Sequence, residues 1–167
     1  MEHKKDLIDI LISEWKDERP ELDTSAMQII GRILHLGKTL EKRASKTLEV
    51  YGIHYTDFDV LATIRRSGEP FELTPSRLMQ SVLITSGAMT ALLNRLQKLE
   101  LIYRAPDLKD GRIKLVGLTP KGVNLIDKAL DTRFNEACTA ISCFNETEKK
   151  ELEKHLKKFI FSLKPVE

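Results

Sequence analysis

Between Leu101 and Val116 the hydrophobic pattern changes period, and this change constrains the fold more than any other feature of the chain. Leu101-Ile102-Tyr103-Arg104 and Arg112-Ile113-Lys114-Leu115-Val116 read as strands, and Asp107-Leu108-Lys109-Asp110-Gly111 between them reads as a turn. On either side of this hairpin the apolar residues instead recur at i, i+3 and i+4, the stripe of an amphipathic helix. One hairpin within 167 otherwise helical residues makes the expected class mainly α, and α+β only through the hairpin.

The helical stretches are punctuated locally. Asp6 to Lys16 carries Leu7, Ile8, Leu11, Ile12 and Trp15 on one face, and Pro20 closes it. Asp23 or Thr24 can cap a long helix through Met27, Ile30, Ile33, Leu34, Leu40 and Leu48 to Gly52. A third helix starts near Thr56, buries Phe58, Leu61 and Ile64, and stops at Ser67-Gly68. Thr74-Pro75 opens a short helix through Leu78 and Met79, with Pro at the first helical position, where no N–H is needed. Thr85-Ser86 opens another, ending near Leu99-Glu100. Beyond the hairpin, Thr119-Pro120 repeats the cap-plus-Pro device for a helix carrying Val123, Ile126, Leu130, Phe134, Cys138 and Ile141. Asn145-Glu146-Thr147-Glu148 resembles a capping box for a last helix with Leu152, Leu156, Phe159, Ile160 and Leu163 inward.

Helix, turn, helix and hairpin in the middle can form a small core alone. The outer helices lack enough chain to cover their stripes, and a two-fold pairing with a second copy is the simplest remedy. The expected division is therefore a helical dimerisation region, residues 1–55 and 120–167, around a winged helix-turn-helix at 56–119.

Charge is concentrated in that middle. Net charge is only +2, but from Leu61 to Gly122 ten Lys/Arg stand against five Asp/Glu, leaving the flanks net negative. Local positive charge is what phosphate binding requires, because neutralised phosphates release counterions. At about 100° per residue, one half of the helix from Ser86 to Leu99 carries Ser86, Gly87, Thr90, Ala91, Asn94, Arg95, Gln97 and Lys98. Ala88, Met89, Leu92, Leu93, Leu96 and Leu99 fill the other half. The first face suits a helix entering the major groove N-terminus first, with Asn94 on an adenine edge, Arg95 on guanine or phosphate, and Ala91 on a thymine methyl. Ser76, Arg77 and Thr85 flank it on the DNA side. The hairpin tip, with Lys109 and Arg112, suits a wing whose Arg enters the minor groove, oriented by Asp110. Taken singly, the helix face also fits an ordinary surface helix, and Asp110-Gly111 an ordinary turn.

Other classes are disfavoured. A hydrophobic fraction of 41% with 31% charged residues describes a folded globular chain. No apolar run approaches membrane-spanning length and no secretory leader is legible, so the cytoplasm is the expected compartment. The four His are scattered, and no metal site or cofactor is expected. There is no nucleophile elbow or Gly-rich phosphate loop, and Asp57 and Asp59 point to different sides of their helix, so no catalytic set is expected. Cys138 and Cys143, five apart, are expected to be buried and reduced; a thiol sensor crosslinking across a dimer is the alternative.

Phe58-Asp59-Val60-Leu61, Thr85-Ser86-Gly87-Ala88-Met89-Thr90, Asp107-x-Lys109-Asp110-x-Arg112 and Leu118-Thr119-Pro120-Lys121-Gly122 together resemble the winged-helix block of the MarR regulators. The resemblance covers nearly the whole chain. It implies a homodimer on a pseudopalindromic operator of double-stranded DNA, and repression relieved by a small effector bound between the dimerisation and DNA-binding parts. Close relatives often carry Asn-Arg where this chain has Ala91-Leu92. Trp15, Asp59 and Arg104 are similar to residues of the urate-responsive branch, whose set includes an Arg at the position of Leu92. With Leu92 the set loses a charge that an anionic purine needs, which directs the expectation toward a more apolar or aromatic acid. Core packing for Trp15 and a wing-base ion pair for Arg104 are the structural alternatives. The competing functional reading is a winged helix that binds protein, with its DNA face disused.

Overall fold

The structure, a computed structural model, describes residues 4–82, 85–106 and 114–163. The chain divides into two compact units, residues 1–46 and 47–167. Among the described residues no helix is long and apolar enough to cross a membrane.

In the first unit, α1 (Leu7–Glu18) opens on a reciprocal cap: Asp6 Oδ1 accepts the Asp9 N–H at 2.9 Å and Asp9 Oδ2 accepts that of Asp6 at 3.0 Å. Helix α2 (Ser25–Leu48) begins in the same unit, and its Arg32 reaches both caps, with Nε 2.8 Å from Asp6 and Nη2 2.6 Å from Asp9. Ile8 and Ile12 are buried, and Ile8 packs on Gly31, where a Cβ would lie 3.2 Å from its Cδ1. Closeness of the two helices therefore rests on a residue without a side chain.

In the second unit, a 3-10 turn (Glu49–Tyr51) ends at Gly52, whose φ of 66° closes it in the left-handed region. Helix α3 (Tyr55–Arg65) follows, with Val60, Leu61 and Ile64 fully buried. Then come β1 (Glu72–Leu73), α4 (Pro75–Ser81), α5 (Ser86–Lys98), β2 (Ile102–Pro106), β3 (Lys114–Leu118), α6 (Pro120–Ala140) and α7 (Glu146–Ser162). The strands form an antiparallel sheet in the order β1-β3-β2. Strand β1, two residues long, carries too little periodicity to be seen in sequence. One core runs from Leu48 through α3, α4, α5 and the sheet to Ile126 and Ala129, so the first half of α6 belongs to the winged-helix core.

Local sequence devices hold as expected. Thr74, Thr85 and Thr119 each cap their helix, accepting the N–H of Arg77, Ala88 and Gly122 respectively. Several burial expectations do not hold. Cys138 and Cys143 are exposed, not buried. The reason is that the burial of α6 ends at Ala129, and Cys143 lies past the helix in the following turn. Helix α7 has no buried residue, so Leu152, Leu156, Ile160 and Leu163 remain exposed. On α5, Ala88 and Leu99 are exposed as well, and the inward face narrows to Met89, Leu93 and Leu96.

Two close approaches fix the sheet. Tyr103 lies across Gly117, where a Cβ would stand 2.3 Å from the ring, and its hydroxyl donates to Glu72 Oε1 at 2.6 Å. This ties β2 to β1 across β3. The bond to Glu72, aided by burial, pushes the Tyr103 phenol up to about 12 from 10.0. The folded state thus holds that proton more tightly than the unfolded chain. The resulting stability is complete below about pH 10 and is lost as pH rises through about 12. In a Tyr51→Phe/Tyr55→Phe background, Glu72→Gln is expected to return the ultraviolet titration of Tyr103 toward 10; an unmoved midpoint would assign the shift to burial.

At the other approach, the first turn of α6 crosses the Leu101 carbonyl so closely that a Cβ on Gly122 would lie 2.0 Å from that oxygen. Thr119 locks the crossing, donating Oγ1 to Glu100 O at 2.7 Å and its own N–H to Leu101 O at 3.1 Å. Backbone cannot yield as a flexible side chain does, so Gly122→Ala is expected to cost about 1–3 kcal/mol in denaturant unfolding. An unchanged midpoint would refute the contact.

Candidate nucleic-acid interface

Helices α4 and α5 are built for presentation. Pro75 and the Thr74 cap start α4, and the Thr85 cap starts α5 at Ser86 and Gly87, both exposed. Burial of Met89, Leu93 and Leu96 fixes which way α5 faces. That leaves Thr90, Ala91, Asn94, Gln97 and Lys98 outside. The Thr90 hydroxyl donates back to Ser86 O at 3.1 Å, which keeps that edge compact.

Side chains on this surface are held to different degrees. Asn94 Oδ1 accepts from Arg104 Nη2 at 2.8 Å, so β2 steadies the amide while its NH₂ group remains available to donate. Lys98, the Arg77 guanidinium on α4 and Lys114 at the turn end of β3 have no side-chain partner among the described residues. Ser76 donates to Thr74 Oγ1 at 3.4 Å, a long contact. Arg95 faces otherwise than expected. Its Nη1 lies 2.8 Å from Oδ2 of Asp57, a carboxylate that is fully buried in the first turn of α3. Lys109, Asp110 and Arg112, the expected wing contacts, lie outside the described residues.

Of the four residues singled out for a ligand, the three in the second unit, Asp59, Leu92 and Arg104, are found in separate places. Trp15 lies in the first unit, lining an apolar groove of about 430 Å³ with Ile8, Leu11, Leu22 and Met27. Asp59 lines a larger groove of about 800 Å³ between α3 and α6, with Phe58, Arg65, Arg66, Arg133 and Phe134. Leu92 is half-buried against the core. Arg104 borders a small cavity of about 170 Å³ under the interface, with Met79, Thr90 and Lys114.

Sequence reasoning missed the charges that line the larger groove. Arg65 grips Asp127 with Nε to Oδ1 at 2.8 Å and Nη2 to Oδ2 at 3.3 Å, and its guanidinium stacks 4.6 Å from the Phe71 ring centroid. Arg133 pairs with Glu136 at 2.8 Å. The only signal for Arg65 was its helical position at the end of α3, because Asp127 is 62 residues away in sequence. Among the described residues no cluster of His, Cys, Asp and Glu is placed to hold a metal ion.

With α5 and the paired strands placed, similarity to known proteins is specific. The family model described as MarR family matches residues 51–113. The HTH-type transcriptional regulator PecS of Dickeya dadantii (strain 3937) is 30% identical over 153 residues, covering 87% of this chain and 92% of PecS. A crystal structure of a MarR-like transcription regulator from Bacillus cereus ATCC 10987 superposes with a TM-score of 0.75 at 24% identity, covering 85% of this chain and all of that one. A mutant MarR from E. coli complexed with operator DNA superposes with a TM-score of 0.69 at 24% identity, covering 93% and 99%. These relatives are transcription regulators and not enzymes. The chain belongs to the MarR family of DNA-binding transcriptional regulators.

Proposed function

We propose that this regulator is a homodimeric repressor that reads a pseudopalindromic operator through α5 and the hairpin, and that a small aromatic or anionic molecule relieves the repression. The observation that carries the reading is the division of α5 into a buried face and an exposed one. Met89, Leu93 and Leu96 anchor it, while Ser86, Gly87, Thr90, Ala91, Asn94 and Lys98 stand outside. Small residues at its start permit close approach to base edges, and Arg77 and Lys98 supply charge for phosphates. Lys109 and Arg112, oriented by Asp110, complete the contact as the wing. Ser76 and Thr85 are proposed phosphate contacts at the two helix starts.

Dimerisation is supported by apolar residues that one chain leaves uncovered. Phe134 on α6 and Leu152, Leu156, Ile160 and Phe161 on α7 are exposed, as are Leu7, Leu11 and Trp15 on α1. Helices 1–55 and 120–167 are the proposed dimerisation region. For the effector, the groove of about 800 Å³ offers Phe58 and Phe134 to a ring and Arg66 to an acid group, beside Asp59. Trp15, Leu92 and Arg104 are kept as effector residues only through the family resemblance. A cytoplasmic protein with access to the chromosome fits this role.

Binding to the DNA upstream of its own gene is expected to fall steeply with salt, the mark of several neutralised phosphates. No complex with any genomic fragment at low salt would overturn the reading in favour of a protein-binding winged helix. Asn94→Ala is expected to reduce discrimination between operator and random DNA by about 1–3 kcal/mol. Lys98→Ala is expected instead to weaken both DNAs alike. Equal weakening by Asn94→Ala would make Asn94 a backbone contact.

A further inference from the structure

We infer that Asp57 and Arg95 form an internal strut that sets the rotation of the reading helix, so that Arg95 serves DNA recognition from inside the protein as a positioning residue. The inference rests on the DNA-binding reading above.

Asp57 has no exposed surface, although it is a carboxylate in the first turn of a helix. Its Oδ2 accepts the His54 backbone N–H at 2.8 Å and stands 2.8 Å from Arg95 Nη1. Its Oδ1 is buried with no hydrogen-bond partner among the described residues. A buried charge so incompletely solvated depends on its cation, and losing either partner strands the other. The Arg95 side chain is 36% exposed, and its Nη1 is turned to Asp57 instead of to the outer face of α5.

Position on α5 gives this pair its leverage. Arg95 sits beside Asn94 and one turn from Ala91 and Lys98, at the margin between the buried and the exposed face. The apolar anchors Met89, Leu93 and Leu96 permit small rolling of the helix, since hydrophobic contact is non-directional. An ion pair of fixed length at the margin does not. A roll of about 20° would carry side-chain tips about 5 Å from the helix axis through about 2 Å, enough to break a base contact. The strut therefore holds Asn94 in register with the groove while touching no DNA itself.

The test compares wild type, Asp57→Asn, Arg95→Met and the double variant on operator and random DNA across a salt series. Asn keeps an oxygen for the His54 N–H. Each single variant is expected to lose about tenfold or more in operator-over-random preference, with the salt slope unchanged. The double variant, free of a stranded charge, is expected to melt at a higher temperature than either single variant yet to keep the same loss of preference. Recovery of preference together with stability in the double variant would reduce the pair to a structural one and overturn the inference. A salt slope lowered by about one in Arg95→Met, with Asp57→Asn unaffected, would also overturn it by making Arg95 a phosphate contact. Wild-type protein that binds neither DNA would instead refute the DNA-binding reading itself.

Discussion

Helix α3 is buried on almost every side, and the elements around it take their positions from that burial. Val60, Leu61 and Ile64 are fully enclosed, with Phe58 and Ala62 nearly so. At about 1.5–3 kcal/mol for each large side chain removed from water, this one helix supplies much of the hydrophobic stabilisation of its unit. It has little stripe because it has little surface: residues 57, 58 and 60–64 are all buried. Helix α5 packs on one part of it and α6 on another, so α3 lies between the exposed face of α5 and the groove.

Charge divides along the same lines. The basic residues concentrated between Leu61 and Gly122 do not form one uniform patch. Arg65 is committed to Asp127, Arg95 to Asp57, Arg104 to Asn94, and Lys121 to Glu100 and the Leu99 carbonyl. Arg77, Lys98 and Lys114 remain without side-chain partners among the described residues. Cations in the first set fix geometry, and those in the second can answer a phosphate backbone. A count of positive charges overstates the number free for DNA, because several have internal work.

The unit of residues 47–167 is well covered where it presents α5 and poorly covered toward its C-terminus. Burial along α6 stops at Ala129 and α7 buries nothing, while their apolar residues persist to Leu163. Helical stripes that outlast the core of their own chain are understandable if they belong to an interface between copies. The exposure of Cys138 and Cys143 has the same origin, since both lie on this uncovered stretch.

Local signals placed most elements correctly because they act over a few residues. Caps at Thr74, Thr85 and Thr119, the Asn145–Glu148 box and the change of period after Leu99 need no knowledge of the rest of the chain. Pattern alone also identified the side of α5 that carries Thr90, Asn94 and Lys98. What it could not reveal was partnership at long range. The buried Asp57, the Arg65–Asp127 pair and the separation of Asp59 from Arg104 into different cavities all join or part residues distant in sequence. A helical wheel put Arg95 on the outer face, where angle alone allows it. Only packing of α3 against α5 decided that it turns inward, because the cost of a buried carboxylate is met by the nearest cation in space.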